Sequence, residues 1–292
     1  MTERPSLKST LVQLTTDRHD RDAVGFSYVY PVVSRRAGGV SIGINLNTNN
    51  ACNWRCIYCQ VEGLTRGTAP SIDIARLKEE LESLFEAIEH GQFLEHNVPP
   101  EYRKLSDIAI SGNGEPTSSP QFSEVVELLG KLRQTQPLAR SLPIVLITNG
   151  SLADRAVVQT ALARLNEIGG QVWFKLDAGS DQGMRNTNSA ATRLSRHVRR
   201  LEIVAKLCPT HVQSCWFRRA GRDPDEAEVQ GFVNTLSELQ AKGVPIRGVQ
   251  LYTLARESHQ PEAPLLGPVD PGWLESLGAK VAAIGFPAQV AR

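Results

Sequence analysis

The pattern that most restricts this 292-residue chain is a repeated alternation of short apolar strands with amphipathic helices. From Gly39, Val40, Ile42, Ile44 and Leu46 alternate with Ser41, Gly43, Asn45 and Asn47, which describes a strand with one apolar and one small, polar face. A helix follows at 73–89, where Ile74, Leu77, Leu81, Leu84, Phe85 and Ile88 recur at helical spacing. The unit then repeats, with strands expected at 108–111, 144–148, 172–177, 211–217 and 247–254. Helices between them carry Phe122, Val125, Val126, Leu129 and Leu132, then a run stopped by Gly169-Gly170, then Leu194, Val198, Leu201 and Ala205. The next helix carries Val229, Phe232, Val233, Leu236 and Leu239, opened by Asp223 as N-cap and Pro224 as first helical residue. Such alternation implies parallel pairing through right-handed crossovers, which a doubly wound sheet and a barrel share. The polar face of the first strand, and Trp173, Lys175 and Asp177 alternating with Val172, Phe174 and Leu176, favour a sheet curved around a polar interior. The expected fold is therefore α/β, a partial (βα)6 barrel over residues 39–256. Residues 1–38 lack sustained periodicity and read as an irregular lead-in. Residues 257–292, with Pro261, Pro264, Pro268 and Pro271, read as an extension or lid holding a short helix and a strand near 281–284.

Bulk properties exclude several classes. Hydrophobic residues at 41% and charged residues at 22% are ordinary globular values. No apolar run approaches the roughly 18 residues of a membrane helix, so no membrane partner is expected. The opening MTERPSLKST lacks the apolar core of a signal peptide, which points to the cytoplasm. A net charge of +1 gives no global attraction to nucleic acid, so any such binding needs a local patch.

Five cysteines are present, and Cys52, Cys56 and Cys59 crowd into eight residues. An odd number in a chain of this size fits metal ligation in a reducing compartment better than a disulfide framework. The motif Cys52-Asn53-Trp54-Arg55-Cys56-Ile57-Tyr58-Cys59 follows the first strand, where the catalytic loops of βα-barrels lie. Four thiolates saturate an iron–sulfur cube; three leave one iron open to a chelating substrate, as catalytic metal sites require. A zinc site completed by histidine, or plain buried cysteines, are the competing readings of the spacing alone. Zinc motifs usually pair close ligands across a longer gap, and no histidine lies near this cluster in sequence.

A second motif, Ser111-Gly112-Asn113-Gly114-Glu115-Pro116-Thr117, ends the second strand. Its glycines allow close backbone approach, and Glu115 adds an acceptor suited to an ammonium group. Alone it would be an ordinary turn; one strand after the cysteine motif it is informative. Together the two motifs resemble those of the radical S-adenosylmethionine (SAM) superfamily. That resemblance covers about residues 34–256. It implies a [4Fe–4S] cluster on Cys52, Cys56 and Cys59, and SAM bound near Tyr58 through its adenine and near Gly112, Asn113, Gly114 and Glu115 through its methionine amino group. It also implies an external one-electron donor and reductive cleavage of SAM to a 5′-deoxyadenosyl radical that abstracts a hydrogen atom. Thr148, Asn149 and Gly150, ending the third strand, resemble another frequent feature of the family. Within the superfamily the chain is most similar to the wyosine-tRNA synthase-like group. The likeness rests on Ser34-Arg35-Arg36, Ile42-Gly43-Ile44-Asn45-Leu46, Cys56-Ile57-Tyr58-Cys59-Gln60, Gly112-Asn113-Gly114-Glu115-Pro116-Thr117, Lys175-Leu176-Asp177-Ala178 and Gln250-Leu251-Tyr252-Thr253-Leu254. The second-cluster cysteines of that group are missing, since no cysteine precedes Cys52, so a single cluster is expected.

The remaining features admit two readings each. Lys175 and Asp177 share a strand face and are read as SAM or substrate contacts in preference to an internal ion pair. Thr148 and Asn149 could reach SAM or merely form a turn. Arg193, Arg196, Arg199 and Arg200 recur along one helix, ordinarily a solvated face. With Arg35, Arg36, Arg218, Arg219 and Arg222 they could form a phosphate-binding surface for a tRNA. Cys208 and Cys215 read as small core hydrophobes, and His211 and His259 have no partner motif. The substrate stays open between an RNA base and a protein or small molecule, and a non-catalytic zinc module that contacts nucleic acid is the alternative from another class.

Overall fold

The computed structural model describes residues 13–15, 23–34 and 38–291. Its frame is one eight-stranded sheet whose strands lie in chain order, curled into a half-barrel. These strands are β1 Val29–Ser34, β2 Gly39–Ile44, β3 Leu105–Ile110, β4 Ile144–Thr148, β5 Gly170–Lys175, β6 Thr210–Cys215, β7 Ile246–Tyr252 and β8 Ala288–Ala291. From β2 to β8 all pairings are parallel; β1 runs antiparallel on the edge. The helices of eight residues or more are α1 Ile74–Glu89, α2 Phe122–Thr135, α3 Ala156–Glu167, α4 Asp181–Asn188, α5 Leu194–Leu207, α6 Glu226–Ala241 and α7 Pro271–Ile284.

The partial α/β barrel read from the alternation is present, and its two faces divide as the side chains require. Val40, Ile42, Ile44 and Leu46 are fully buried in the same core as Leu77, Leu81, Leu84 and Phe85 of α1. Each such aliphatic side chain contributes on the order of 1.5–3 kcal/mol by leaving water. Asp73 caps α1, accepting from the Arg76 N–H at 3.1 Å. On the other face Ser41, Asn45 and Asn47 are buried together with Asp107, Glu115 and Gln213, giving the half-barrel its polar interior.

Several expectations are corrected. The lead-in over 1–38 is not irregular throughout, because Val29–Ser34 pairs antiparallel with β2 from Val29↔Ile44 to Ser34↔Gly39. Pro31 masks the strand in the sequence and is tolerated on an edge. The start of β1 is held by Glu80 of α1, a fully buried carboxylate that accepts from the N–H groups of Ser27, Tyr28 and Val29 at 2.9, 2.8 and 3.2 Å. Arg35 and Arg36 lie outside the described residues. Helix α6 is capped by Asp225, which accepts from the Ala227 N–H at 2.8 Å, while Asp223 accepts from Arg218 at 2.7 Å. The strand expected near 281–284 is the end of α7, since Leu274, Leu277 and Val281 sit at helical spacing behind the Asp270 cap. The true last strand, Ala288–Ala291, follows and pairs with β7. Helix α4 has no counterpart in the expected pattern.

Candidate active site at the cysteine loop

The loop after β2 is a compact, heavily braced turn. Asn47 Nδ2 donates to Ala51 O at 2.9 Å, and Asn50 takes a left-handed φ of +53°. Ala51–Cys52 then pairs with Thr65–Arg66 in a two-residue parallel ladder. Cys59 N–H closes a turn on Cys56 O at 2.9 Å. Trp54 is buried and packs against His197 of α5, with ring centroids 5.2 Å apart.

A strap from the chain's far end also holds this loop. Ser258 Oγ lies 2.7 Å from Ile57 O and 3.0 Å from Cys59 O, within donating reach of both, while His259 N–H donates to Cys59 O at 2.9 Å. Gln260 Nε2 reaches Val61 O at 3.3 Å. Arg55 pairs bidentately with Glu262, both contacts at 2.7 Å, a geometry that adds orientation as well as energy. The C-terminal extension therefore braces the cysteine loop.

Cys52, Cys56 and Cys59 line one cavity of about 300 Å³ that runs into the polar interior. Tyr58, Gly112, Asn113, Gly114, Glu115, Asn149 and Lys175 line the same cavity. Thr148 and Asp177 stand behind that lining and act on it through other residues. Burial pushes the thiols of Cys52 and Cys56 up to about 12. A neighbouring cation favours the thiolate, as Lys175 does at Cys56 and as a bound metal would at either sulfur.

The glycine-rich strand end packs closely on the cysteine loop. A Cβ at Gly114 would overlap Ala51 O, and one at Gly112, where φ is +154°, would overlap Asn45. Asn113 N–H donates to Asn45 Oδ1 at 3.0 Å and its Nδ2 to Asn50 Oδ1 at 2.6 Å. That fixes the amide orientation and leaves Asn113 Oδ1 buried with no partner among the described residues. Glu115 is differently placed. Its Oε1 accepts from Thr117 N–H, Thr117 Oγ1 and Thr148 Oγ1 at 3.1, 2.6 and 2.6 Å, and its Oε2 from Asn149 N–H at 2.6 Å. Burial raises its pKa above the ordinary carboxylate range, and the four donors oppose that rise. Glu115 ties the ends of β3 and β4 together, and Asn149 extends the network to Asn53 of the cysteine loop at 2.9 Å.

Lys175 donates to Tyr252 Oη at 2.9 Å and lies 5.0 and 5.6 Å above the rings of Tyr58 and Tyr252. Burial alone would lower its pKa, but Tyr252, Asp177 and Cys56 outweigh this and hold it above the usual lysine range. Asp177 accepts from Tyr58 Oη at 2.5 Å, Asn188 Nδ2 at 2.9 Å and Cys215 N–H at 3.0 Å. It anchors the residue before Cys59.

The arginine helix is only partly available to phosphates. Arg196 and Arg200 both donate to Asp154 Oδ2, at 2.8 and 2.9 Å. Arg218 is paired with Asp223.

The half-barrel carries its three clustered cysteines in the loop that follows β2, at the C-terminal end of that strand. Residues 46–218 match the model of the radical SAM superfamily, more than half of the chain, and the chain belongs to that superfamily. The family implies a [4Fe–4S] cluster and SAM. A UPF0026 protein of Helicobacter pylori is 30% identical over 149 residues, which is 51% of this chain and 41% of that one. A UPF0026 protein of Methanocaldococcus jannaschii is 28% identical over 158 residues, 54% and 42% of the two chains. The match thus spans less than half the length of these curated relatives. Among solved structures, Streptococcus suis SuiB bound to precursor peptide SuiA superposes with a TM-score of 0.58 at 11% identity, covering 87% of this chain and 49% of that one. A spore photoproduct lyase mutant with bound AdoMet and dinucleoside spore photoproduct gives 0.55 at 9% identity, covering 90% and 79%. At such identities the likeness is one of fold. No helix among the described residues is long and apolar enough to cross a membrane.

Proposed function

We propose that Cys52, Cys56 and Cys59 hold a single [4Fe–4S] cluster with one iron left open, and that SAM chelates this iron from the cavity beside Gly112, Asn113, Gly114 and Glu115. When bound, the cluster supplies one electron, taken from an external donor, that cleaves SAM to methionine and a 5′-deoxyadenosyl radical for hydrogen abstraction. The carrying observation is the convergence of the three thiols and the glycine-rich strand end on one cavity. Asn113 Oδ1, buried without a partner among the described residues, is the acceptor best suited to the methionyl ammonium; Glu115 positions Asn149 and the strand ends. Tyr58, fixed by Asp177, gives the adenine a rigid ring to lie against. Residues 39–256 form the catalytic core, and Ser258, His259, Gln260 and Glu262 of the 257–292 extension brace it.

An RNA base is the first substrate reading. It draws on the resemblance of the sequence motifs to those of the wyosine-tRNA synthase-like group, and on the exposed Arg193 and Arg199 flanking Arg196. The pairing of Arg196 and Arg200 with Asp154 favours a second reading, a small molecule or a protein side chain. Anaerobic reconstitution tests the chemistry. About four irons per chain and 5′-deoxyadenosine from SAM are expected, both lost on Cys52→Ala, Cys56→Ala or Cys59→Ala; one tightly bound zinc without SAM cleavage would overturn the proposal. Salt-dependent tRNA affinity lowered by Arg193→Ala and Arg199→Ala would support the RNA reading, and indifference to both would remove it.

A further inference from the structure

Helix α4 closes its C-terminal turn on the cysteine loop. Arg55 N–H donates to Asn188 O at 3.1 Å and Ile57 N–H to Thr187 O at 2.9 Å, so the last carbonyls of α4 hold the backbone on both sides of Cys56. Ser189, at φ +48°, ends the helix there. Asn188 is 1% exposed, and its Nδ2 donates both to Cys56 Sγ at 3.2 Å and to Asp177 Oδ2 at 2.9 Å. A sulfur and a carboxylate are both acceptors, so the amide nitrogen has to face them.

We infer that Asn188 is a positioning residue that sets the reduction potential of the cluster at Cys56, an inference that rests on the reading of Cys56 as a cluster ligand. The electrostatics around this sulfur give the reason. The carbonyl end of α4 and the Asp177 carboxylate place negative charge beside Cys56, which opposes the addition of an electron, while the Lys175 ammonium acts on the same sulfur in the opposite sense. An N–H donor on the sulfur stabilises the more negative reduced state, and hydrogen bonds to sulfur are one of the levers that set cluster potentials. In a buried site this effect is little screened by solvent. Asn188 spans the carboxylate and the sulfur, and so offsets the first while orienting the second. The redox step adds one electron to the oxidised cluster, with all three thiolates retained and no proton moved.

The test is a mediator-coupled, EPR-monitored potentiometric titration of the anaerobically reconstituted full chain, without SAM. Asn188→Leu is close in size and removes the donor without adding a second carboxylate beside Asp177. It is expected to retain four irons and to shift the midpoint negative by at least tenfold in the reduction equilibrium, about 59 mV for one electron. Asn188→Ala, which also adds no charge, carries the same test should the first variant fail to fold, with a shift in the same direction. An unchanged midpoint at full iron content would overturn the inference. So would loss of the cluster from both variants with the fold intact, which would assign Asn188 a purely structural role. Failure of the ligand reading looks different: the parent chain would not take up four irons, or Cys56→Ala would keep them.

Discussion

His197 offers a pH-dependent test of how the cysteine loop is held. Its ring is 1% exposed, lies 5.2 Å from the ring of Trp54 and 4.8 Å from that of Phe174, and its Nε2 meets Lys175 O at 2.8 Å. Burial pulls its pKa down to about 4, from an ordinary value of 6.5. Between those values the unfolded chain binds a proton that the folded chain refuses. Stability from this group is therefore complete above about pH 6.5 and is lost as pH falls towards 4. The full difference is on the order of 3 kcal/mol at 1.36 kcal/mol per pKa unit, and about 2 kcal/mol of it falls between pH 7 and pH 5. Urea unfolding of the chain at both pH values, compared with His197→Phe, isolates the contribution because phenylalanine keeps the aromatic contacts and cannot titrate. The parent should lose about 2 kcal/mol more than the variant on acidification. Equal losses would refute a neutral, desolvated His197, and a larger loss in the variant would reverse the sign of the argument.

Ser258→Ala removes both side-chain contacts to the carbonyls of Ile57 and Cys59 and should lower stability by about 1–3 kcal/mol; chemical denaturation measures this, and an unchanged midpoint would show the strap to be idle. Glu115→Gln keeps the size but sets an amide N–H against at least one of four converging donors, so a similar loss and weaker SAM binding by calorimetry are expected. Gly114→Ala drives a methyl group into Ala51 O and should disrupt the cysteine loop, seen as reduced iron uptake at the same reconstitution ratio. Full iron uptake by that variant would contradict the close packing of the two motifs.

The strands and long helices were readable because a buried face repeats along the chain, as in Val40, Ile42, Ile44 and Leu46. The two motifs were readable because unusual residues cluster within short stretches. What escaped has no period. Helix α4 carries Met184 as its one buried large apolar residue; it owes its start to Ser180, which accepts from Gly183 N–H at 2.8 Å, and its place to docking on the cysteine loop. The strap depends on contacts between residues about two hundred positions apart, such as Ser258 with Cys59. Only three-dimensional packing could divide the work between Asn113 and Glu115, since the sequence gives both an acceptor but not the four donors already aimed at the carboxylate. Pairing of Arg196 and Arg200 with Asp154 likewise lies outside any local charge pattern.

An iron without a protein ligand, available to SAM, is the centre of the account. Hyperfine spectroscopy of the reduced, reconstituted chain with SAM labelled by ¹⁵N at the amino group and ¹⁷O at the carboxylate reads that iron directly. Coupling of both labels to the cluster is expected, abolished in Cys56→Ala. A fully formed cluster showing no coupling to either label would contradict it.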